Sequence, residues 1–295
     1  MASTGSQAAA MSLHQHSLER VGMVAVPGGD IHFRLYQPHQ PEKAARTPLV
    51  VTHGGPGASS IGLYDALHEL ADERPVVFYD QLGSYCSPCE LTPGQMTLQR
   101  FAEEPLALMN ALGLSQAAVM GHSWGGAVMA QFCLDHPLRV SHLVLSSPLL
   151  STQRWIQDCK KLIANLVRDG VPSNQIEDEF NKHHFCIALK SSALVARDAE
   201  RFNTHLYEVM WGPSEFRQTG VLASLDLFPR LMEIKACTLL LCGDHDTATP
   251  LTMHDAQQCI GKNAEVVVLP DSAHKTYIDN NEGFLDAVNL FLAGI

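Results

Sequence analysis

The segment from Val119 to Gly126 constrains the fold of this chain more than any other. It reads Val-Met-Gly-His-Ser-Trp-Gly-Gly and contains Gly-x-Ser-x-Gly, with a short apolar run before it and an apolar, Ala-containing segment after it. This pattern predicts a buried strand that turns sharply into a helix, with Ser123 at the tip of the turn. Side chains at Gly121 and Gly125 would collide with the neighbouring strand and helix. We therefore predict that Ser123 is a nucleophile on a strained turn.

Strands and helices alternate on both sides of this turn. Apolar runs at 21–26 and 31–36 flank a Pro-Gly-Gly-Asp turn and predict a β-hairpin. Further buried strands are predicted at 48–52, 76–79, 117–120, 141–145, 238–241 and 265–269. Helices are predicted between them at 61–73, 97–112, 124–135, 252–260 and 282–292. The alternation predicts an α/β protein whose mostly parallel central sheet is flanked by helices.

Between residues 149 and 228 the pattern shows helical periodicity without a convincing strand. Aromatic residues are spread along this stretch: Trp155, Phe180, Phe185, Phe202, Tyr207 and Trp211. We predict a helical cap at 149–228, inserted into a core formed by 18–148 and 229–295. Residues 1–17 are small and polar, and we expect a flexible leader there.

Composition narrows the classes of ligand. The net charge of −11 and the absence of a basic run argue against nucleic acid or an anionic membrane as a partner. No apolar run approaches the ~20 residues of a membrane span. We expect a small-molecule or short-peptide substrate and a cytoplasmic protein, while the oligomeric state is not readable from the chain.

Cysteine usage indicates neither a disulfide framework nor a metal site. The eight cysteines are scattered, several of them within apolar runs, as expected of reduced thiols in a core. Cys86 and Cys89 form a C-x-x-C, but no second pair follows and the context is not thioredoxin-like. We therefore expect no metal and no cofactor.

A serine nucleophile requires a base and an acid that orients the base. Loops that follow the strands of an open parallel sheet meet at one edge, and His274 directly follows the last predicted strand. Asp244 and Asp246 follow the preceding strand, and we favour Asp246 as the acid, with Asp244 as a helper or a turn residue. The order Ser, Asp, His is that of α/β-hydrolases.

The glycine-rich turn at 53–57 follows the strand expected beside that of Ser123. It reads His-Gly-Gly-Pro-Gly, which allows the backbone to approach a ligand closely and to direct N–H groups into the site. We expect the N–H groups of Gly55 and Trp124 to form an oxyanion hole, each donor contributing about 3 kcal/mol. His53 and Gly54 are expected to line the substrate site.

Five features of the sequence together carry a family resemblance. They are His-Gly-Gly-Pro-Gly at 53–57, Tyr-Asp-Gln-Leu-Gly at 79–83, Gly-His-Ser-Trp-Gly-Gly at 121–126, Gly-x-x-Asp at 243–246 and the terminal His274. Over the chain from Val21 onward this set resembles the proline iminopeptidase family of α/β-hydrolases, including its amino acid amidase relatives. The resemblance implies a cofactor-free serine hydrolase that releases an N-terminal amino acid. It also implies Ser123, Asp246 and His274 as the triad.

The predicted cap carries one further likeness. Gly-Pro-Ser-Glu-Phe at 212–216 resembles a cap motif whose glutamate binds the α-amino group of the substrate, which implies that role for Glu215. Two positions depart from the family pattern. Thr247 stands where archaeal members have a second glutamate, and the loop after Asp-Gln-x-Gly reads Ser-Tyr-Cys-Ser.

Three hypotheses follow. The first is an aminopeptidase or amidase that works through an acyl-enzyme on Ser123. The second keeps these residues but acts on an ester, lactone or thioester of a pathway metabolite, with Glu215 purely structural. The third is a hydrolase fold that only binds a ligand or partner.

Overall fold

The computed structural model describes residues 15–190 and 200–295, which build one eight-stranded sheet. The strands are β1 His16–Val26, β2 Gly29–Pro38, β3 Leu49–Thr52, β4 Val76–Tyr79, β5 Ala117–His122, β6 Val140–Ser146, β7 Cys237–Gly243 and β8 Ala264–Leu269. Their spatial order is β1-β2-β4-β3-β5-β6-β7-β8. The six strands from β4 to β8 in this order are parallel to one another. β2 runs antiparallel to both of its neighbours, β1 and β4. The predicted α/β class and mostly parallel sheet are confirmed.

Helices connect the strands. The α-helices in the described residues are Pro41–Ala44, Ser60–Leu67, Leu98–Ala111, Trp124–Asp135, Thr152–Arg168, Ile176–Phe180, Thr204–Met210, Pro250–Ile260, Thr276–Asp279 and Asn281–Phe291. Shorter 3-10 turns are His68–Asp72, Pro93–Gln95, Ser173–Gln175, Ile187–Lys190, Val221–Ser224 and Phe228–Glu233, and Asn181–Phe185 forms a π-helical turn. The segment predicted as one helix at 61–73 is therefore an α-helix followed by a tighter turn. In the described parts of the chain, no helix is long and apolar enough to cross a membrane.

The sheet lies between two apolar layers. Leu49 and Val51 of β3 contribute to one layer, and Val50 between them contributes to the other. This alternation follows from the two-residue period of a strand, because successive side chains point to opposite faces. Parallel strands covered on both faces need apolar residues at every position, which explains the unbroken apolar runs in the sequence.

The first strand begins earlier than predicted. β1 starts at His16, so the end of the predicted leader at residue 17 is wrong, while residues 1–14 lie outside the described part of the chain. The His16 ring is buried and its Nδ1 lies 2.6 Å from Oδ1 of Asp72. The sequence hides this start because Ser17 to Val21 are exposed, so no apolar alternation marks it.

The stretch predicted as a cap, residues 149–228, contains helices and isolated bridges but no strand among its described residues. We call this stretch the cap segment. Its longest helix, Thr152–Arg168, is tied to the helix Pro250–Ile260 of the core by an ion pair of 2.7 Å between Arg154 and Asp255. The buried Asp158 accepts hydrogen bonds from the hydroxyls of Thr249 and Thr252 at the start of the same core helix. These contacts fix the cap helix above the edge of the sheet.

Candidate active site

Ser123 lies on a strained turn between β5 and the helix Trp124–Asp135. Its backbone has φ 55° and ψ −120°, a conformation that costs a non-glycine residue about 1–3 kcal/mol. The surrounding glycines permit this packing, since a Cβ at Gly121 would lie 2.0 Å from the carbonyl oxygen of Gly125. A Cβ at Gly125 would lie 2.4 Å from the carbonyl oxygen of His53. The structure therefore has the geometry that the Gly-x-Ser-x-Gly pattern predicts.

The imidazole of His274 is hydrogen-bonded to Asp246. Nδ1 of His274 lies 3.0 Å from Oδ1 of Asp246, and both side chains are almost fully buried. Asp244, the other predicted candidate, is exposed and accepts instead from the backbone N–H groups of Asp271 and Ser272. When Nδ1 carries the proton donated to Asp246, Nε2 is left as the acceptor that a general base requires.

Asp246 is held by further donors. The hydroxyl of Ser147 donates to Oδ2 at 2.6 Å, and the backbone N–H of Ala248 donates to Oδ1 at 2.8 Å. Ser147 itself has φ 47°, so its backbone is strained like that of Ser123. Hydrogen-bond donors on both oxygens fix the orientation of this carboxylate.

Aromatic groups enclose the ring of His274. Trp155 of the cap segment packs edge-on with its ring centroid at 5.2 Å, and Phe185 and His122 lie at 5.3 and 4.8 Å. The backbone N–H of His274 also donates to the carbonyl of His184 at 3.2 Å. The cap segment therefore holds the imidazole from one side while Asp246 holds it from the other.

A cavity of about 440 Å³ opens in front of Ser123. Of the predicted site residues, it is lined by His53, Gly54, Gly55, Ser123, Glu215 and His274. Asp246 and Trp124 are not among the lining groups; they lie behind His274 and beside Ser123. A wider groove of about 610 Å³, lined by residues such as Tyr85 and Arg201, contains none of the predicted site residues.

The turn after β3 lies close to the nucleophile. A Cβ at Gly54 would be 3.0 Å from Cβ of Ser123, and Gly55 has φ 105°, which favours glycine. The structure records no hydrogen bond from the backbone N–H of Gly55 or Trp124 to any group in the described residues. Two N–H groups without a protein acceptor beside a serine can bind a developing oxyanion.

Glu215 brings a carboxyl group to the cavity from the cap segment. Burial raises its pKa, while His274, the hydroxyl of Tyr207 and the indole of Trp155 act in the opposite direction. Thr247, which stands at the second acidic position of the family pattern, is buried and donates its hydroxyl to Oδ1 of Asp246 at 3.3 Å. Among the described residues that line the cavity, Glu215 is thus the one with a carboxyl group available for a cation.

Three contributors to the site escaped the sequence analysis: Ser147, Tyr207 and Gln81. Ser147 follows β6, as the predicted acid and base follow β7 and β8, so its place at a strand end was the available signal. Tyr207 was recognised only as one of several cap aromatics. Gln81 likewise lies in the loop that follows β4. In the described residues, no group of three or more His, Cys, Asp or Glu side chains is arranged to hold a metal ion.

Comparison with known proteins agrees with this geometry. A sequence model of the alpha/beta hydrolase fold matches residues 47–281. A proline iminopeptidase of Heyndrickxia coagulans is 33% identical over 93% of this chain and 99% of its own length. The crystal structure of the proline iminopeptidase of Mycobacterium smegmatis superposes with a TM-score of 0.83 at 26% identity, covering 92% of this chain and 97% of that one. The crystal structure of VinJ gives a TM-score of 0.83 at 25% identity, covering 94% and 99%.

Proposed function

Because this chain belongs to the proline iminopeptidase family of α/β-hydrolases and is a serine hydrolase, we propose that it releases the N-terminal amino acid of a short peptide, amide or arylamide. In this proposal Ser123 is the nucleophile, His274 the general base and Asp246 the group that orients it. The N–H groups of Gly55 and Trp124 form the oxyanion hole. The N-terminal residue of the substrate is a proline or a small apolar residue, and its amine is free.

The reaction proceeds through an acyl-enzyme. Nε2 of His274 takes the proton of Ser123 as its oxygen attacks the acyl carbon, and the oxyanion is bound by the two N–H groups. The imidazolium then gives its proton to the leaving amine, and the C–N bond breaks. Water, deprotonated by the same imidazole, attacks the ester and releases the amino acid and Ser123.

The observation that carries the substrate assignment is the carboxyl group of Glu215 in the cavity that also contains Ser123 and His274. An ammonium placed there gains a charge-assisted hydrogen bond, which also returns the raised pKa of Glu215 toward its ordinary value. His53 and Gly54 also line this cavity, and in this proposal they contact the substrate beside the scissile bond. Because the amine anchor and the nucleophile line the same cavity, the substrate that fits both has its free amine close to the scissile bond, as an N-terminal residue does.

A second candidate is an esterase, lactonase or thioesterase of a metabolite without an amine. Thr247 favours it, because it stands where archaeal members of the resembled family have a second glutamate, and its hydroxyl donates to Asp246. In that case Glu215 is a structural residue of the cap segment.

Comparing free and N-acetylated aminoacyl arylamides decides between these functions. The first candidate predicts turnover of the free amine and at least tenfold lower kcat/KM for the blocked form, since the blocked substrate has no charge for Glu215. Equal turnover of both forms would favour the second candidate. The variant Ser123→Ala, with an unchanged melting temperature, should be inactive toward either substrate; retained turnover would contradict the nucleophile assignment.

A further inference from the structure

Gln81 connects the two backbone segments that carry the proposed oxyanion donors. It is almost fully buried in the loop after β4 and lies outside the lining of the cavity. Its Nε2 donates to Oγ1 of Thr52 at 2.9 Å and to the carbonyl oxygen of His53 at 2.8 Å. Its Oε1 accepts from the indole Nε1 of Trp124 at 2.8 Å. Both amide hydrogens and the amide oxygen are therefore used, which fixes the orientation of the side chain.

These bonds lie where the sheet no longer holds the two segments together. β3 and β5 pair in parallel up to Thr52 and Gly121, and beyond these residues the ladder ends. The turn at 53–57 and the turn at Ser123 then leave the sheet separately. Gln81 is a cross-link at this point: it bonds to Thr52 at the end of β3 and to His53 of the first turn, and it accepts from the side chain of Trp124 in the second.

Gln81 also acts on Gly55 through the ring of His53. The backbone N–H of Gln81 donates to Nε2 of His53 at 3.0 Å, and Nδ1 of that ring lies 2.8 Å from the carbonyl oxygen of Gly54. Since Nε2 accepts, Nδ1 carries the proton and donates it to Gly54. The peptide between Gly54 and Gly55 is trans, so its N–H points away from its carbonyl. Holding the carbonyl of Gly54 against His53 thus directs the N–H of Gly55 to the opposite side.

We propose that Gln81 is the positioning residue of the oxyanion hole, which sets the relative placement of the N–H groups of Gly55 and Trp124. It touches neither the substrate nor Ser123 and acts through His53 and the Trp124 side chain. The inference rests on the oxyanion hole of the proposed function but not on the substrate. Any acyl or phosphonyl group that develops an oxyanion on Ser123 depends on Gln81 in the same way.

The test uses the full chain and measures the second-order rate at which a fluorophosphonate labels Ser123. Gln81→Met removes all three side-chain bonds at similar volume and should slow labelling about 10- to 100-fold, somewhat less than complete loss of one donor. Trp124→Phe removes only the indole N–H and keeps the backbone donor, and should slow labelling about 3- to 10-fold. The double variant should be no slower than Gln81→Met, since both remove the same bond.

Gln131→Met is the matched control, because it makes the same substitution at another buried glutamine. Gln131 lies about two turns into the helix Trp124–Asp135, where its Nε2 donates to Oδ2 of Asp135 at 2.6 Å and makes no recorded hydrogen bond to the described residues that carry the oxyanion donors. This variant should label at the parental rate even if its melting temperature falls. With a simple p-nitrophenyl ester, Gln81→Met should lower kcat while KM stays within about twofold, because misplaced oxyanion donors act on the transition state.

Labelling of folded Gln81→Met within twofold of the parental rate would overturn the proposal, and so would an equal loss in Gln131→Met. If Gln81→Met does not fold, Trp124→Phe decides: slower labelling at an unchanged melting temperature supports the proposal, and parental labelling refutes it. The result is separate from the substrate assignment. Loss of labelling in the Gln81 variant, together with equal turnover of free and N-acetylated arylamides, would retain this inference and reject the aminopeptidase.

Discussion

Replacing Glu215 by Gln removes one charge from the cavity and little else. The amide has the shape of the carboxyl group and keeps the same neighbours, Tyr207 and Trp155, whose polar groups lower the pKa of Glu215. It cannot offer a negative charge to a substrate ammonium. The substitution therefore isolates the proposed amine anchor from the packing of the cap segment.

The expected magnitude follows from the burial of the site. A hydrogen bond to a charged group contributes about 1.5–3 kcal/mol, which corresponds to a loss of about 10- to 150-fold in kcat/KM for a free-amine arylamide. The N-acetylated substrate has no ammonium, so its kcat/KM should change by less than twofold. Because burial raises the pKa of Glu215, acid pH should imitate the substitution. In the parent, KM for the free amine should rise as the pH falls through this pKa, whereas Glu215→Gln should lack that rise.

The assay is initial-rate kinetics on free and N-acetylated prolyl or alanyl arylamides between pH 5 and pH 9. Glu208→Gln is the matched control, since Glu208 is an exposed glutamate on the nearby helix Thr204–Met210 and its loss removes the same charge from outside the cavity. The control should behave like the parent at every pH. An equal loss for both substrates in Glu215→Gln, or none for the free amine, would refute the anchoring argument.

Three further predictions concern individual residues. Ser147→Ala deletes the 2.6 Å bond to Asp246 and should lower kcat about 10-fold or more, with KM little changed; parental kcat would contradict this. Gly125→Ala places a Cβ 2.4 Å from the carbonyl of His53 and should abolish activity and lower the melting temperature, so an active variant would show that the turn can relax. Burial raises the pKa of Glu104 from 4.5 to about 7 despite the adjacent Arg100. The folded state then keeps a proton that the unfolded state loses, so the free energy of unfolding should fall by about 3 kcal/mol between pH 4.5 and 7. Denaturant unfolding should show this component in the parent but not in Glu104→Gln.

The sheet was predictable because its strands are covered on both faces. Continuous apolar runs such as those of β3 and β4 leave few alternatives to buried parallel strands. The Gly-x-Ser-x-Gly turn identifies one of these strands as the strand that leads into the nucleophile. The start of β1 was not predictable, because the strand pairs with a single neighbour and exposes most of its first half. Its only buried anchor there, His16, depends on Asp72, which lies 56 residues away in the sequence.

The site was predictable where each group directly follows a strand of the parallel sheet. His274 and Asp246 were located in this way, and the structure shows that Asp246 bonds to His274 whereas Asp244 bonds to the backbone of the neighbouring loop. Ser147 and Gln81 also follow strands, but their roles depend on hydrogen bonds to other loops. Sequence periodicity identifies which loops meet at an edge, and it does not specify which side chains bond there.

Intact-protein and peptide mass spectrometry of the acyl-enzyme tests the central claim most directly. The parent protein is mixed with a free-amine aminoacyl ester, quenched in acid within the first turnovers and digested. We predict one added aminoacyl mass on the peptide that contains Ser123, and no adduct in Ser123→Ala. Turnover without an adduct on Ser123, or an adduct at any other residue, would contradict the account.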